Sequence, residues 1–163
     1  MSSPGALCHG VGVTDGSRHV GVAVHGGHAR DIDPATFYRI LALRSEVFVV
    51  EQDCVYLDLD GRDLEPGTVL VWAERDGDVL ATLRVLTDDD GWRRVGRVAT
   101  AVAARRAGLA ALLMERALAI VAGDPVRLHA QSHLEKWYAT FGFVRAGDDY
   151  LEDGIPHTPM RLA

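Results

Sequence analysis

Two adjacent arginines, Arg105 and Arg106, stand where a helix begins. They precede Gly108 and the run "LAALLMERAL", which is built almost wholly of strong helix formers. The first turn of a helix has N–H groups without intrahelical partners and carries the positive end of the dipole. Cations there are unfavourable unless an anion joins them. No Ser, Thr, Asp or Asn directly precedes the run to cap it. Gly108 admits positive φ and lets the backbone come close to a ligand. A phosphate or pyrophosphate completes such a turn. Between Gly91 and Arg127, seven arginines stand against two acids, Glu115 and Asp124, a local net charge of +5 in a chain whose formal net charge is −6. The patterns G-x-G-x-x-G and G-x-x-x-x-G-K-[ST] are absent, so neither the dinucleotide loop nor the nucleoside-triphosphate loop is present.

The elements that must position this turn follow from periodicity. In "DIDPATFYRILALRSEVF", Asp33 is an N-cap with Pro34 in the first turn. Phe37, Ile40, Leu41, Arg44, Val47 and Phe48 then recur at helical spacing, with Arg44 at the edge of the stripe. "VLVWAER" and "VLATLRVLT" are strands joined by the hairpin turn Asp76-Gly77. A turn at Asp88 to Gly91 leads into a third strand through "RRVGRVATAV". The helix from Leu109 to Ala122 is stopped by Gly123 and Pro125, and "VRLHAQ" follows as a strand. A short helix, "HLEKWYATFG", ends at Gly142, and a closing pair of strands turns at Asp153-Gly154. A strand, a crossover helix and a second strand run parallel. The fold class expected is therefore α+β, a central mixed sheet, mostly antiparallel with one parallel strand pair. Residues 1–27 read as an N-terminal extension, partly disordered, in which Val20 to Val24 form at most a short strand. Residues 28–163 read as one domain.

Composition narrows the class. The chain has 163 residues, 48% hydrophobic and 25% charged, as in a soluble globular protein. An acidic balance argues against a general nucleic-acid binder. Cys8 and Cys54 form no CxxC pair and are read as free thiols in a reducing compartment. Neither a signal-peptide pattern nor an apolar run of membrane-spanning length is found, so a cytoplasmic location is expected, without a membrane partner. "HAQSH" spaces His129 and His133 as on a helix, but there is no accompanying Glu and His129 falls on a strand, so no metal site is expected. In "DLDGRD" the glycine is fourth rather than sixth and no Glu is twelfth, so it is not a calcium loop. From Glu51 to Glu65, six acids stand against Arg62 alone, the pattern of a solvated acidic loop.

Arg105, Gly108 and Ala110, as R-x-x-G-x-A, resemble the Q/R-x-x-G-x-G/A motif of the GNAT superfamily of N-acetyltransferases, which cradles the pyrophosphate of coenzyme A. "QSHLEKWYATFGF" is similar to the later family segment N-x-x-A-x-x-x-Y-x-x-x-G-F: Tyr138 and Gly142-Phe143 match, Gln131 replaces Asn and Leu134 replaces Ala. "LRSEVFVVEQDCVYLDLDGRD" and "EDGIPHTPM" resemble the ElaA subfamily, with its R-x-x-V-F-V-V-E-Q segment and D-G-I-P-H ending. The resemblance spans about residues 28 to 162 and implies a GNAT-like sheet flanked by helices on both faces.

It also implies an acetyl-CoA-dependent N-acetyltransferase that works by direct attack in a ternary complex. The coenzyme would be held by Arg105, Arg106, Ala107, Gly108, Leu109 and Ala110, and by strand-like pairing with Val98, Ala99 and Thr100. Gln131 would contribute from the later segment, and a main-chain N–H near Thr100 would polarise the carbonyl. Tyr138 stands where the family often has the general acid; as a plain aromatic it would be half-buried beside Trp137 and Phe141. Glu51 ends the apolar run "VFVVE", where a carboxylate is expected to have a raised pKa. It is the candidate base or ammonium-binding group, with His129, His133 and His157 as alternatives and a solvated acid as the bland reading. Asp58 and Asp60 would draw in a cationic acceptor, a small-molecule or peptide amine. A homodimer is left open. The rival functions are a non-catalytic acyl-CoA sensor and an acyltransferase with a longer acyl donor.

Overall fold

The computed structural model describes residues 19–163. Its strands are β1 (Ala23–Gly27), β2 (Val69–Arg75), β3 (Asp78–Thr87), β4 (Arg93–Thr100), β5 (Val126–Gln131), β6 (Phe143–Arg145), β7 (Tyr150–Glu152) and β8 (Ile155–Leu162). The α-helices are α1 (Pro34–Ser45), α2 (Leu109–Ile120) and α3 (Glu135–Ala139). The strands form one sheet in the order β1-β2-β3-β4-β5-β8-β6, with β7 also on β8. Only β4 and β5 run parallel among these pairs, as the α2 crossover requires. Sheet pairing begins at Ala23 on Glu74, inside the segment expected to be an extension. Residues 1–18, with Cys8, lie outside the described residues. No helix among the described residues is long and apolar enough to cross a membrane.

Alternation along β2 explains the layers. Val69, Val71 and Ala73 face α2 in the large core, together with Leu83, Val85, Leu113 and Met114. Leu70 and Trp72 point the other way, onto Ile32 and Ile40 of the α1 side. Helices therefore cover both faces of the sheet centre, and β2 reads as an unbroken apolar run because neither face is wet. Asp33 caps α1 as expected, its Oδ2 accepting from Thr36 N at 3.0 Å. Both predicted hairpins have positive φ at their two central residues, Asp76-Gly77 (53°, 86°) and Asp153-Gly154 (49°, 78°). That is the type I′ turn matched to strand twist.

Two expectations need correction here. The helical spacing read through Phe48 is not all α: after Ser45 the helix widens into a π turn, Glu46–Glu51, in which Gln52 N donates to Val47 O, five residues back. And the acidic stretch is only partly solvated: Asp58 and Asp63 are buried, while Glu51, Asp53 and Asp60 stay exposed. Arg44 is fully buried rather than at an edge, and it takes two aspartates in with it. Its Nε donates to Asp58 Oδ2 (3.0 Å), its Nη1 to Asp63 Oδ1 (2.6 Å) and its Nη2 to the Asp58 carbonyl (3.0 Å). Arg84 of β3 forks onto both oxygens of Asp60 at 2.7 Å each. Arg97 Nε of β4 lies 2.6 Å from Asp58 Oδ1. Asp58 and Asp60 are thus occupied by arginines and do not draw in a cationic acceptor.

A buried ion pair is costly to halve, because the remaining charge stays desolvated. Arg44→Leu is expected to lower stability by about 3–5 kcal/mol in urea unfolding; a loss near zero would contradict the network. Burial alone would raise the pKa of Asp60, but the hydrogen bonds and charge of Arg84 prevail and hold it at about 2. Its folded-state pKa lies below the unfolded value of about 3.9, so it stabilises above that pH and loses its contribution as pH falls toward the folded value. Asp60→Asn should flatten the fall in stability over that acid range.

Candidate active site

The site opens where the parallel pair comes apart. β4 meets β5 only at Arg93, Arg94 and Val95, opposite Val126, Arg127 and Leu128. Two residues further along, β4 bulges: Leu83 of β3 stands opposite both Arg97 and Val98, and Arg97 has φ 53°. Gly96 to Thr100 therefore has no pairing on its β5 side. A cavity of about 430 Å³ fills the gap. Arg94 to Val98 line it from β4, His129 and Gln131 from β5, and Leu134 and Tyr138 from around α3. Phe48, Gln52, Cys54 and Tyr56 close it from the π turn and its following loop. The β7–β8 hairpin adds Tyr150, Glu152 and His157.

β4 leads directly into the helix-start loop. Arg106 has φ 64° and Gly108 φ 79°, and no side chain caps α2. The first-turn N–H groups of Leu109 and Ala110 thus have no hydrogen-bond acceptor among the described residues, an arrangement suited to an anion. Ala107 is half-buried, and its carbonyl is met by His19 Nε2 at 2.6 Å. Arg106 has no ion-pair partner among the described residues. Arg105 has one: its Nη1 and Nη2 fork onto Glu51 at 2.8 and 2.5 Å, while Nε donates to Thr100 O at 3.2 Å.

That pair corrects the reading of Glu51. The carboxylate is exposed, and the Arg105 hydrogen bonds, outweighing its slight desolvation, hold its pKa below the ordinary value instead of above it. The local charge of +5 also dissolves in space. Arg94 and Arg127 bind Asp88, Arg97 binds Asp58, and Arg93 lies 3.9 Å from Asp124. Counting along the chain missed these partners because most of them come from elsewhere in the sequence.

Tyr138 is more buried than expected, 7% exposed, with its ring edge-on to Trp137 and Phe143. Burial pushes its hydroxyl up to about 12. Of the other residues singled out from sequence, Val98 and Gln131 line the cavity with it. Ala99 is buried and pairs with Thr82, and Thr100 pairs with Ala81. His133 is exposed and outside the cavity, whereas His129 and His157 both line it. Sequence reasoning missed Tyr56, Arg97, Tyr150 and Glu152. Arg97 sits over the Tyr56 ring, 5.3 Å from its centroid, and Tyr56 donates to Asp58 at 3.1 Å. Nothing in local periodicity marks these contacts.

Fold and site together define an acyl-CoA-dependent acyltransferase of the GNAT type. Residues 42–163 match the acetyltransferase (GNAT) domain, and the chain belongs to that family. It is 48% identical over 136 residues to a UPF0039 protein of Mycobacterium tuberculosis, covering 81% of this chain and 87% of that one. It is 37% identical over 139 residues to protein ElaA of Escherichia coli, covering 82% and 91%. Its fold matches an acyl-CoA N-acyltransferase from Pseudomonas aeruginosa with TM-score 0.81 and 44% identity, over 86% of this chain and 99% of that one.

The Glu51–Arg105 pair is directly measurable. Carbon-detected NMR titration should place the Glu51 carboxyl below the ordinary glutamate range, and Arg105→Ala should return it there. A Glu51 that titrates above that range in the unsubstituted protein would restore the reading of a raised pKa.

Proposed function

We propose that the protein transfers the acetyl group of acetyl-CoA to an amine by direct attack in a ternary complex. The observation that carries this reading is one continuous run of chain. The uncapped N-terminus of α2, with Gly108 and Arg106 in left-handed conformations, adjoins the unpaired edge of β4, which runs into the cavity holding Tyr138. A pyrophosphate satisfies the first, an extended pantetheine amide chain the second, and a thioester the third.

In this reading the N–H groups of about Arg106 to Ala110 hold the pyrophosphate, and Arg106 adds unpaired charge. Arg105 joins them once Glu51 releases or shares it. The main chain of Val98 to Thr100 pairs with pantetheine, and an N–H near Thr100 polarises the thioester carbonyl. Tyr138, with a hydroxyl near 12, stays protonated at every working pH and donates to the leaving sulfur. A thiol ionises near ~8.5, so full transfer from that phenol runs uphill on its own. It proceeds when coupled to loss of the amine proton, which makes the acid and the base interdependent.

Thiol release from acetyl-CoA with a panel of amines (a polyamine, a lysine peptide, a peptide α-amine, an aminoglycoside) tests the reading. Turnover with at least one is expected, with Tyr138→Phe lowering kcat by about 10²-fold or more and leaving the Kd for coenzyme A unchanged. Equal turnover in Tyr138→Phe would remove the acid assignment. Binding without turnover across the panel would favour a sensor. Tighter binding and faster release from a longer acyl-CoA would replace the acetyl donor. Calorimetry should also show coenzyme A binding weakened by Arg105→Ala and by added salt, since an exposed guanidinium acts through a screened field.

A further inference from the structure

Glu51, bound to Arg105 and held below the ordinary carboxylate range, is poorly suited to accept a proton near neutrality. The attacking amine must nevertheless lose one. The cavity presents another acceptor whose orientation is fixed by the turn before it. Asp153-Gly154 forms a tight hairpin that sets Glu152 opposite Ile155 and Tyr150 opposite His157. On its other side His157 lies opposite Gln131 of β5, so the imidazole is held between two strands on the cavity face. Its Nδ1 is 2.9 Å from the carbonyl oxygen of Ile155, two residues back on the same strand. A carbonyl only accepts, so in the neutral ring Nδ1 carries the hydrogen and Nε2, the nitrogen farther from the main chain, keeps its lone pair. The Tyr150 ring stacks on the imidazole with centroids 5.8 Å apart, restricting its rotation.

We infer that His157 is the catalytic base, accepting the proton of the attacking amine on Nε2. The inference rests on the acetyl-transfer reading above and deepens it. As the N–C bond forms and the C–S bond breaks, the amine proton moves to Nε2 and the Tyr138 phenol proton to the sulfur. Solvent exchange then carries one proton from the imidazolium to the phenolate, and both groups return to their starting state.

His129 is the rival within the cavity, and its surroundings argue against it. Its Nδ1 contacts the Tyr150 hydroxyl, a group that both donates and accepts, so the tautomer is not fixed. Desolvation first, and then the charge of Arg94, lower its pKa. The titratable and charged groups that share the cavity with His157 are Glu152 and Asp153 from the hairpin, Tyr150 from β7, His129 from β5, Arg94 and Arg97 from β4, Cys54 and Tyr56 from the loop after the π turn, and Tyr138 from α3. Arg94 and Arg97 are each bound to an aspartate, Asp88 and Asp58, which tempers their repulsion of an imidazolium.

Two measurements decide the matter. In nitrogen-15 histidine spectra of the free protein, His157 should show an unprotonated Nε2 and a protonated Nδ1; the opposite tautomer overturns the proposal without reference to any acceptor. Thiol release is then followed against pH with the fastest amine of the panel. For the unsubstituted enzyme, log kcat/KM should fall with slope one while only the acceptor is protonated, then steepen to slope two at lower pH. His157→Gln should fold with unchanged coenzyme A affinity, lose about 10²-fold in kcat/KM, and keep slope one throughout. Steepening that survives in His157→Gln, or that disappears only in His129→Gln, overturns the assignment. An unsubstituted protein that acetylates no amine overturns the acetyl-transfer reading instead, a result distinct from these.

Discussion

β4 and β5 are joined by three residue pairs, and the polar backbone of β4 beyond Val95 then has no strand to bond with on that side. A sheet ordinarily pairs such groups or leaves them at an exposed edge. Here the edge lies inside the molecule, walled by α3, the β7–β8 hairpin and the chain after the π turn. The bulge at Arg97 is the local cause, since it adds a residue to β4 and breaks its register. An extended ligand with amides of its own can stand in for the missing strand, a form of recognition by β-addition. The uncapped turn at Gly108 follows directly from the same strand, so in the proposed reading both halves of a long, amide-bearing, anionic ligand would be served by one run of chain.

The buried ion network keeps that bulge in place. Arg97, the residue with positive φ, is anchored through its side chain to Asp58 and lies over Tyr56. Asp58 is in turn held by Arg44 of α1. Arg84, on the strand facing the bulge, grips Asp60. Helix α1, the loop after it and the two strands are thus tied by charge as well as by the apolar packing of Leu43 and Val47 on Ala99. Such a tie costs desolvation but tolerates few alternative arrangements, because any slippage strands a charge in the core.

Much of the scaffold was legible from the residues. Asp33-Pro34, Asp76-Gly77 and Asp153-Gly154 are local devices whose geometry is written in two or three positions, and the structure uses each as expected. The parallel pair followed from connectivity alone. Gly108 and the missing cap were equally readable, since both are properties of a single turn. What escaped reading depends on contacts between distant positions: Arg44 with Asp63, Arg97 with Asp58, Arg105 with Glu51. A charge looks solvated or free until its partner is known. Glu51 shows the point well. Its apolar neighbours in sequence suggested a raised pKa, but Val50 beside it is largely exposed, and the neighbour that matters lies 54 positions away.

The π turn at Glu46–Glu51 has a consequence for how relatives are compared. A π turn amounts to one extra residue inserted into an α-helix. Removing a single residue from it would leave a regular helix of good composition, so a shorter relative would look undamaged. Yet each residue turns a helix by about 100°, and the carboxylate now facing Arg105 would swing to another side of the axis. In an alignment a one-residue gap at this point is therefore no neutral length change but a relocation of Glu51, and the arginine of such a relative that corresponds to Arg105 would have a different neighbour.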